Sequence, residues 1–180
     1  NGEIEVLLSM SADITSFASD EEGSLWVSSH GEGVIKISNP YSESKDSINF
    51  QQYKGQEGIS DIIFQITKTV NGSIYFVTDV GVKNYNYQKN DFSFYKVKGM
   101  PAYFQIICMY ESSNEDQWFG SYNGGLYHFE KKSGDLKIYD VVDGLASNWI
   151  SSIKEDAKGN MWIGTWGGGM TIINKDGLLI

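Results

Sequence analysis

The chain places its apolar residues in short runs, set off from one another by glycine-bearing acidic turns. None of these runs approaches the roughly 18 residues needed to cross a bilayer. Two kinds of run alternate. One is mixed and anchored by isoleucines, as in Ile150-Ser-Ser-Ile-Lys-Glu155. The other alternates apolar and polar residues, as in Phe50 to Tyr53, Phe92 to Val97 and Leu136 to Tyr139. A period of two predicts β-strands, and the alternating runs read as half-exposed ones. The turns between them, such as Asp20-Glu-Glu-Gly23 and Asp156-Ala-Lys-Gly159, fit hairpins. Glycine supplies a positive φ there, and aspartate can cap the turn with its side chain.

These runs repeat. The segments Gly23-Ser-Leu-Trp-Val-Ser28, Gly72-Ser-Ile-Tyr-Phe-Val77, Asp116-Gln-Trp-Phe-Gly120 and Gly159-Asn-Met-Trp-Ile-Gly164 align on Trp26, Tyr75, Trp118 and Trp162. These aromatics are spaced 49, 43 and 44 residues apart. A glycine follows each at nearly constant distance: Gly33, Gly81, Gly125 and Gly169. An isoleucine precedes each: Ile14, Ile62 or Ile63, Ile106 and Ile150. Each unit reads as four strands, A to D, with the aromatic on strand B. The extra length of the first period, Ser38 to Asn49, reads as a polar surface insertion between strands C and D.

A four-stranded unit of about 44 residues in tandem predicts a β-propeller, with all 180 residues in one segment. One small sheet cannot bury both faces alone, whereas stacked sheets bury each other's. The strand-B aromatic is therefore expected between adjacent blades. The units span about 11–53, 59–97, 103–139 and 148–174, with an outer strand at 4–8. The fourth unit stops after strand C. Two architectures fit this phase: an arc of a larger ring, or a closed four-bladed ring in which Ile4–Leu8 pairs beside Met170–Asn174.

Composition narrows the function. Hydrophobic residues make up 41% and charged residues 21%, within the globular range. The formal charge is −9, and all 14 basic residues are lysine. A nucleic-acid partner would call for a basic, arginine-bearing face, so that class is excluded. Anionic membranes and phosphorylated ligands are disfavoured on the same ground. Asn1 to Met10 carries Glu3 and Glu5 and no basic n-region of a signal peptide. Cys108, the single cysteine, sits in an apolar run and reads as a buried hydrophobe.

No catalytic pattern emerges. His30 and His128 lack metal-ligand spacing, and Gly167-Gly168-Gly169 lacks the lysine of a phosphate loop. Asp20, Glu21, Glu22 and Asp156 read as solvated turn residues. Nothing places two carboxylates together for glycoside hydrolysis. The reading is a chain without enzyme activity, cofactor or metal.

The stretch from Asp143 to Met170, with Gly-Leu, Ser-Asn, Glu-Asp, Gly-Asn-Met-Trp-Ile-Gly-Thr and Gly-Gly-Gly, resembles the two-component regulator propeller repeat. Trp118-Phe-Gly-Ser-Tyr-Asn-Gly-Gly-Leu126 and Asp20-Glu-Glu-Gly-Ser-Leu-Trp26 follow the same pattern. The second unit departs, with Tyr75 for tryptophan and no paired glycines in Thr78-Asp-Val-Gly81. The resemblance implies the periplasmic sensor region of a Bacteroides-type hybrid two-component system. Such regions hold seven-bladed rings, followed by an immunoglobulin-like domain, a membrane helix and a histidine kinase. It further implies an oligosaccharide ligand released from a glycan, signalling to the kinase, and a homodimeric parent whose other blades and domains are this chain's partners. A protein-interaction scaffold and, less well supported, a propeller lyase or glycosidase stand as alternatives.

Propeller geometry itself points to a binding face. The D–A and B–C loops emerge on one side. Four residues after each strand-B aromatic lie His30, Asp79, Tyr122 and Trp166, which are equivalent positions. The D–A loops add Tyr103, Asn148 and Trp149. Aromatic rings stack on the apolar faces of sugars, and amides and carboxylates bind their hydroxyls. These seven residues are the candidate ligand-binding set.

Overall fold

A computed structural model describes residues 9–101 and 105–177. The first sheet holds β1 (Asp13–Ser19), β2 (Leu25–His30), β3 (Val34–Ser38) and β4 (Asn49–Tyr53). The second holds β5 (Ile63–Lys68), β6 (Ile74–Thr78), β7 (Gly81–Asn86) and β8 (Asp91–Phe94). The third holds β9 (Ile106–Glu111), β10 (Gln117–Ser121), β11 (Leu126–Phe129) and β12 (Leu136–Tyr139). The fourth holds β13 (Ile150–Glu155), β14 (Met161–Thr165) and β15 (Gly169–Ile173). Neighbours in sequence are neighbours in each sheet, and all pairings are antiparallel. The fold is all-β, with blades stacked as in a propeller. The strand-A elements β1, β5, β9 and β13 contact one another in succession along the inner side.

Two details depart from the sequence reading. The outer strand of the second blade ends at Phe94, not Val97. Each blade also carries a register shift between strands A and B near the loop-face end of strand A, at Ile14/Ser16, Ile63/Gln65, Gly120/Ser121 and Ile150/Ser152. Such bulges sharpen strand twist, and the hydrophobic pattern alone does not reveal them. The expected partner of the Met170–Asn174 edge, Ile4–Leu8, lies outside the described residues.

The seams between blades form the core. Trp26 is fully buried, stacked on Tyr53 of its own blade and edge-on to Phe76 and Tyr85 of the next. Trp118 is likewise buried, among Ile150, Ile153, Met161 and Ile163 of the fourth blade. Val77 and Val82 of the second blade meet Ile106, Met109, Phe119 and Tyr127 of the third. Trp162 is different: it is 36% exposed, because no described sheet packs on its face.

Gly120 shows why a residue without Cβ is needed at a seam. A Cβ there would stand 2.6 Å from Ile150 Cγ2 of the next blade and would also strike Cys108 Sγ. Polar contacts reinforce the seams. Thr15 Oγ1 donates to the Ile63 carbonyl at 2.8 Å, and the Met109 amide donates to Gln65 Oε1 at 2.7 Å. At the far ends of the strands, Glu111 accepts the Val70 amide at 2.9 Å. Glu155 accepts the Ser113 amide and hydroxyl, both at 2.7 Å. These two glutamates occupy equivalent positions, each tying its blade to the preceding A–B turn.

Asp20 corrects one expectation. It is only 5% exposed, not solvated: Oδ1 accepts the Ser24 amide and Oδ2 the Trp26 indole, each at 2.8 Å. Asp156 makes the same indole bond to Trp162 at 3.0 Å in a more open setting, and hydrogen bonds hold its carboxyl well below the usual range.

Candidate functional site at the loop face between the third and fourth blades

The B–C loops are pinned by backbone bonds at equivalent positions. The amides of Asp79, Tyr122 and Trp166 donate to the carbonyls of Ile62, Gln105 and Trp149 at 3.3, 2.8 and 2.8 Å. Further bonds tie the first and third B–C loops to the D–A loops that follow them. Gly31 and Gly33 donate to the Asp61 carbonyl at 2.9 Å, and Gly125 donates to the Asn148 carbonyl at 3.0 Å. Gly168 packs so close to the Ala146 carbonyl that no side chain fits there. The side chains of His30, Tyr122 and Trp166, which precede these glycines, therefore project from a braced frame.

The candidate residues do not form one ring of equal standing. Tyr122 and Trp149 stack, with ring centroids 4.7 Å apart and planes at 27°, and both remain exposed. Trp149 is also bonded through its carbonyl to Trp166, whose side chain is 61% exposed. Two aromatics, one from a loop and one from a strand start, thus meet at the junction of the third and fourth blades, and the backbone of Trp166 is tied to the second of them. His30 lies at the first junction, exposed, with its ring 6.3 Å from Phe64. Asp79 lies on the second blade, where it accepts the Ser60 hydroxyl. Tyr103 lies outside the described residues.

Asn148 is held by the loop it belongs to. Its Oδ1 accepts the Val141 amide at 2.9 Å, so its carbonyl end braces the D–A loop. That loop carries two residues the sequence reading passed over, Val141 and Val142, both exposed. Two adjacent valines in a turn otherwise rich in aspartate were the available signal. Asp143 accepts the Asp140 amide and Asp140 accepts the Val142 amide, so two carboxylates stand in the same loop. The site is an exposed aromatic platform beside an acidic, apolar-tipped loop. It can stack on a flat apolar surface and accept hydrogen bonds, and it repels anions.

Residues 144–167 match the family model of the two component regulator propeller. No curated protein matches the sequence. Among solved structures, the extracellular domain of a hybrid two component system from B. thetaiotaomicron superposes with a TM-score of 0.79 at 20% identity, covering 94% of this chain and 24% of that one. A second such domain from the same organism gives 0.74 at 26% identity, covering 96% and 22%. A gluconolactonase from Xanthomonas campestris gives 0.66 at 16% identity, covering 98% and 63%, a likeness of fold alone. The chain spans about a quarter of the length of the two extracellular domains. Among the described residues no helix is long and apolar enough to cross a membrane. The matched segment lies in the fourth blade and carries the two-component regulator propeller repeat, in a chain that shares the propeller fold of the extracellular domains of hybrid two-component systems.

Proposed function

We propose that this chain is a non-catalytic segment of a periplasmic sensor, part of a seven-bladed ring, that binds a neutral glycan-derived oligosaccharide at the junction of its third and fourth blades. The observation that carries this reading is the exposed Tyr122–Trp149 stack with Trp166 bonded beside it. Rigid aromatics offer large contact area at little entropic cost and suit the apolar face of a sugar ring. The Asp140 and Asp143 carboxylates favour a neutral ligand with hydroxyl donors over an acidic one. In the parent protein, ligand binding shifts a homodimeric receptor toward the state that binds it more tightly, and a histidine kinase reads that shift.

The test is isothermal titration of the full ectodomain against neutral and acidic oligosaccharides. Saturable binding of a neutral oligosaccharide, weakened roughly three- to tenfold in Trp149→Ala, supports the reading. Uniform absence of sugar binding together with tight binding of a protein partner rejects it.

A further inference from the structure

In the first and fourth blades the strand-B tryptophan donates its indole N–H to an aspartate six residues earlier, at 2.8 Å for Trp26 and 3.0 Å for Trp162. In the third blade that position is Ser112, whose hydroxyl is spent within its own turn, on Asn114 Oδ1 at 2.6 Å and the Asp116 carbonyl at 3.0 Å. Trp118 Nε1 is left without a partner, although Trp118 is only 5% exposed. Across the strand, where the first blade has Lys36, the third has His128, 8% exposed and stacked on Trp118 with centroids 3.7 Å apart. Its Nε2 lies 2.9 Å from Asp116 Oδ2, and its Nδ1 has no partner. One seam therefore holds two unmet polar atoms on two stacked, buried rings. A buried polar group left unpaired is costly, so such a pair needs an explanation.

Both rings line a cleft of about 250 Å³ between the third and fourth blades. It opens on the A–B turn side, opposite the Tyr122–Trp149 platform. Met161 and Ile173 supply its apolar wall, and Asp116 and Glu155 its carboxylates. The indoles of Trp26 and Trp162 point their N–H into their own A–B turns, and the corresponding turn of the third blade, Ser112 to Asp116, walls this cleft.

We infer that this cleft binds a small neutral hydroxylated molecule, a polyol or the edge of a single sugar unit, through Trp118 and His128. A hydroxyl accepts from the indole N–H. It also meets Nδ1 in either protonation state, because it can donate to a bare lone pair or accept from an N–H. An anion would face Asp116 and Glu155 against the one lysine of the lining, Lys175. Asp116 is already satisfied by His128, Asn114 and the Lys131 amide, so it does not call for a cation. The volume lies below the roughly 300–1,000 Å³ of sites for larger ligands, which limits the occupant to one small unit. The inference uses residues distinct from the loop-face site and stands or falls separately from it.

The experiment follows the tryptophan indole N–H resonances of the full chain by ¹H–¹⁵N NMR during titration with glycerol, D-xylose and D-glucose. The expected result is a saturable shift of the Trp118 resonance with at least one of these probes. Ser112→Asp restores the acceptor found in the first and fourth blades and should weaken that response at least tenfold. If Ser112→Asp does not fold, His128→Phe, which keeps the stacked ring and removes Nδ1, should weaken it similarly. Trp149→Ala should leave the Trp118 shift in place while weakening loop-face binding. A Trp118 resonance unmoved by every probe means the cleft holds water only and overturns the inference. A shift that survives the Ser112→Asp or His128→Phe change overturns it as well.

Discussion

Asp20 Oδ2 accepts the indole N–H of Trp26 at 2.8 Å inside the first inter-blade seam. The same carboxylate caps the A–B turn through Ser24 and lies 3.7 Å from Lys36 Nζ. One side chain thus joins a turn, a core aromatic and a buried cation. Asp20→Ala strands the indole and amide donors and leaves Lys36 with the exposed Glu22 as its carboxylate partner, beside the rings of Trp26, Tyr85 and Tyr87. A buried donor left unmet costs about 1–3 kcal/mol, so the variant should lose roughly 2–4 kcal/mol. Urea unfolding should show a lower midpoint at unchanged slope; an unchanged midpoint would show the bond to be dispensable.

Gly120→Ala should destabilise by about 1–3 kcal/mol through overpacking of a seam that has no room for a methyl group. The added Cβ meets Ile150 Cγ2 at 2.6 Å as well as Cys108 Sγ. Cys108→Ala in the same chain relieves one of the two clashes, so the double variant should recover part of the loss. A double-mutant cycle read by urea unfolding checks this; strict additivity would contradict the shared contact.

Burial pushes the Cys108 thiol up to about 12 and, with lesser contributions from Tyr95 and Glu111, the Tyr75 hydroxyl up to about 12. In the unfolded chain these groups ionise near their ordinary values of about 8.5 and 10. Between those values and about 12 the unfolded state has therefore released protons that the folded state still holds. Stability is fully present below about pH 8.5 and falls as pH rises toward 12. The urea midpoint should be lower at about pH 10 than at about pH 7. A thiol reagent at neutral pH should modify Cys108 only after unfolding, since the thiolate is the reactive form.

Trp149 carries the loop-face proposal. Trp149→Ala removes the stacking partner of Tyr122 and should cost the fold about 0.5–1.5 kcal/mol, a modest fall in the unfolding midpoint. Loss of one stacking partner is worth about 0.5–1.5 kcal/mol, so oligosaccharide affinity should drop roughly three- to tenfold. His30→Ala, at a different junction, should leave affinity unaltered. Equal losses in both variants would argue for a ring-wide site in place of a local one.

The repeat was legible because it follows from local chemistry. Strands B announce themselves through Trp26, Tyr75, Trp118 and Trp162, and the A–B turns through glycines such as Gly23 and Gly159, which do adopt positive φ. Burial of Trp26 and Trp118 followed from the same pattern, since a lone sheet must cover its faces. The exposure of Trp162 did not, because whether a face is covered depends on a neighbour and not on the residue. Asp20 and Asp156 looked alike as turn residues, yet one is sealed in a seam and the other is open.

The binding set divides along the same line. Equivalent offsets from the aromatics identified His30, Asp79, Tyr122 and Trp166 as loop-face positions. Only the packing of the third blade on the fourth brought Tyr122 onto Trp149. The unmet atoms of Trp118 and His128 were also invisible beforehand, although Ser112 stands where two other blades have aspartate. By itself the sequence determined the blade, its strands and their order, because alternation, turn glycines and repeat spacing act within a few residues. The tertiary structure decided which side chains are sealed, stacked or left unpaired, because those outcomes arise where two sheets meet, between residues that no local pattern links.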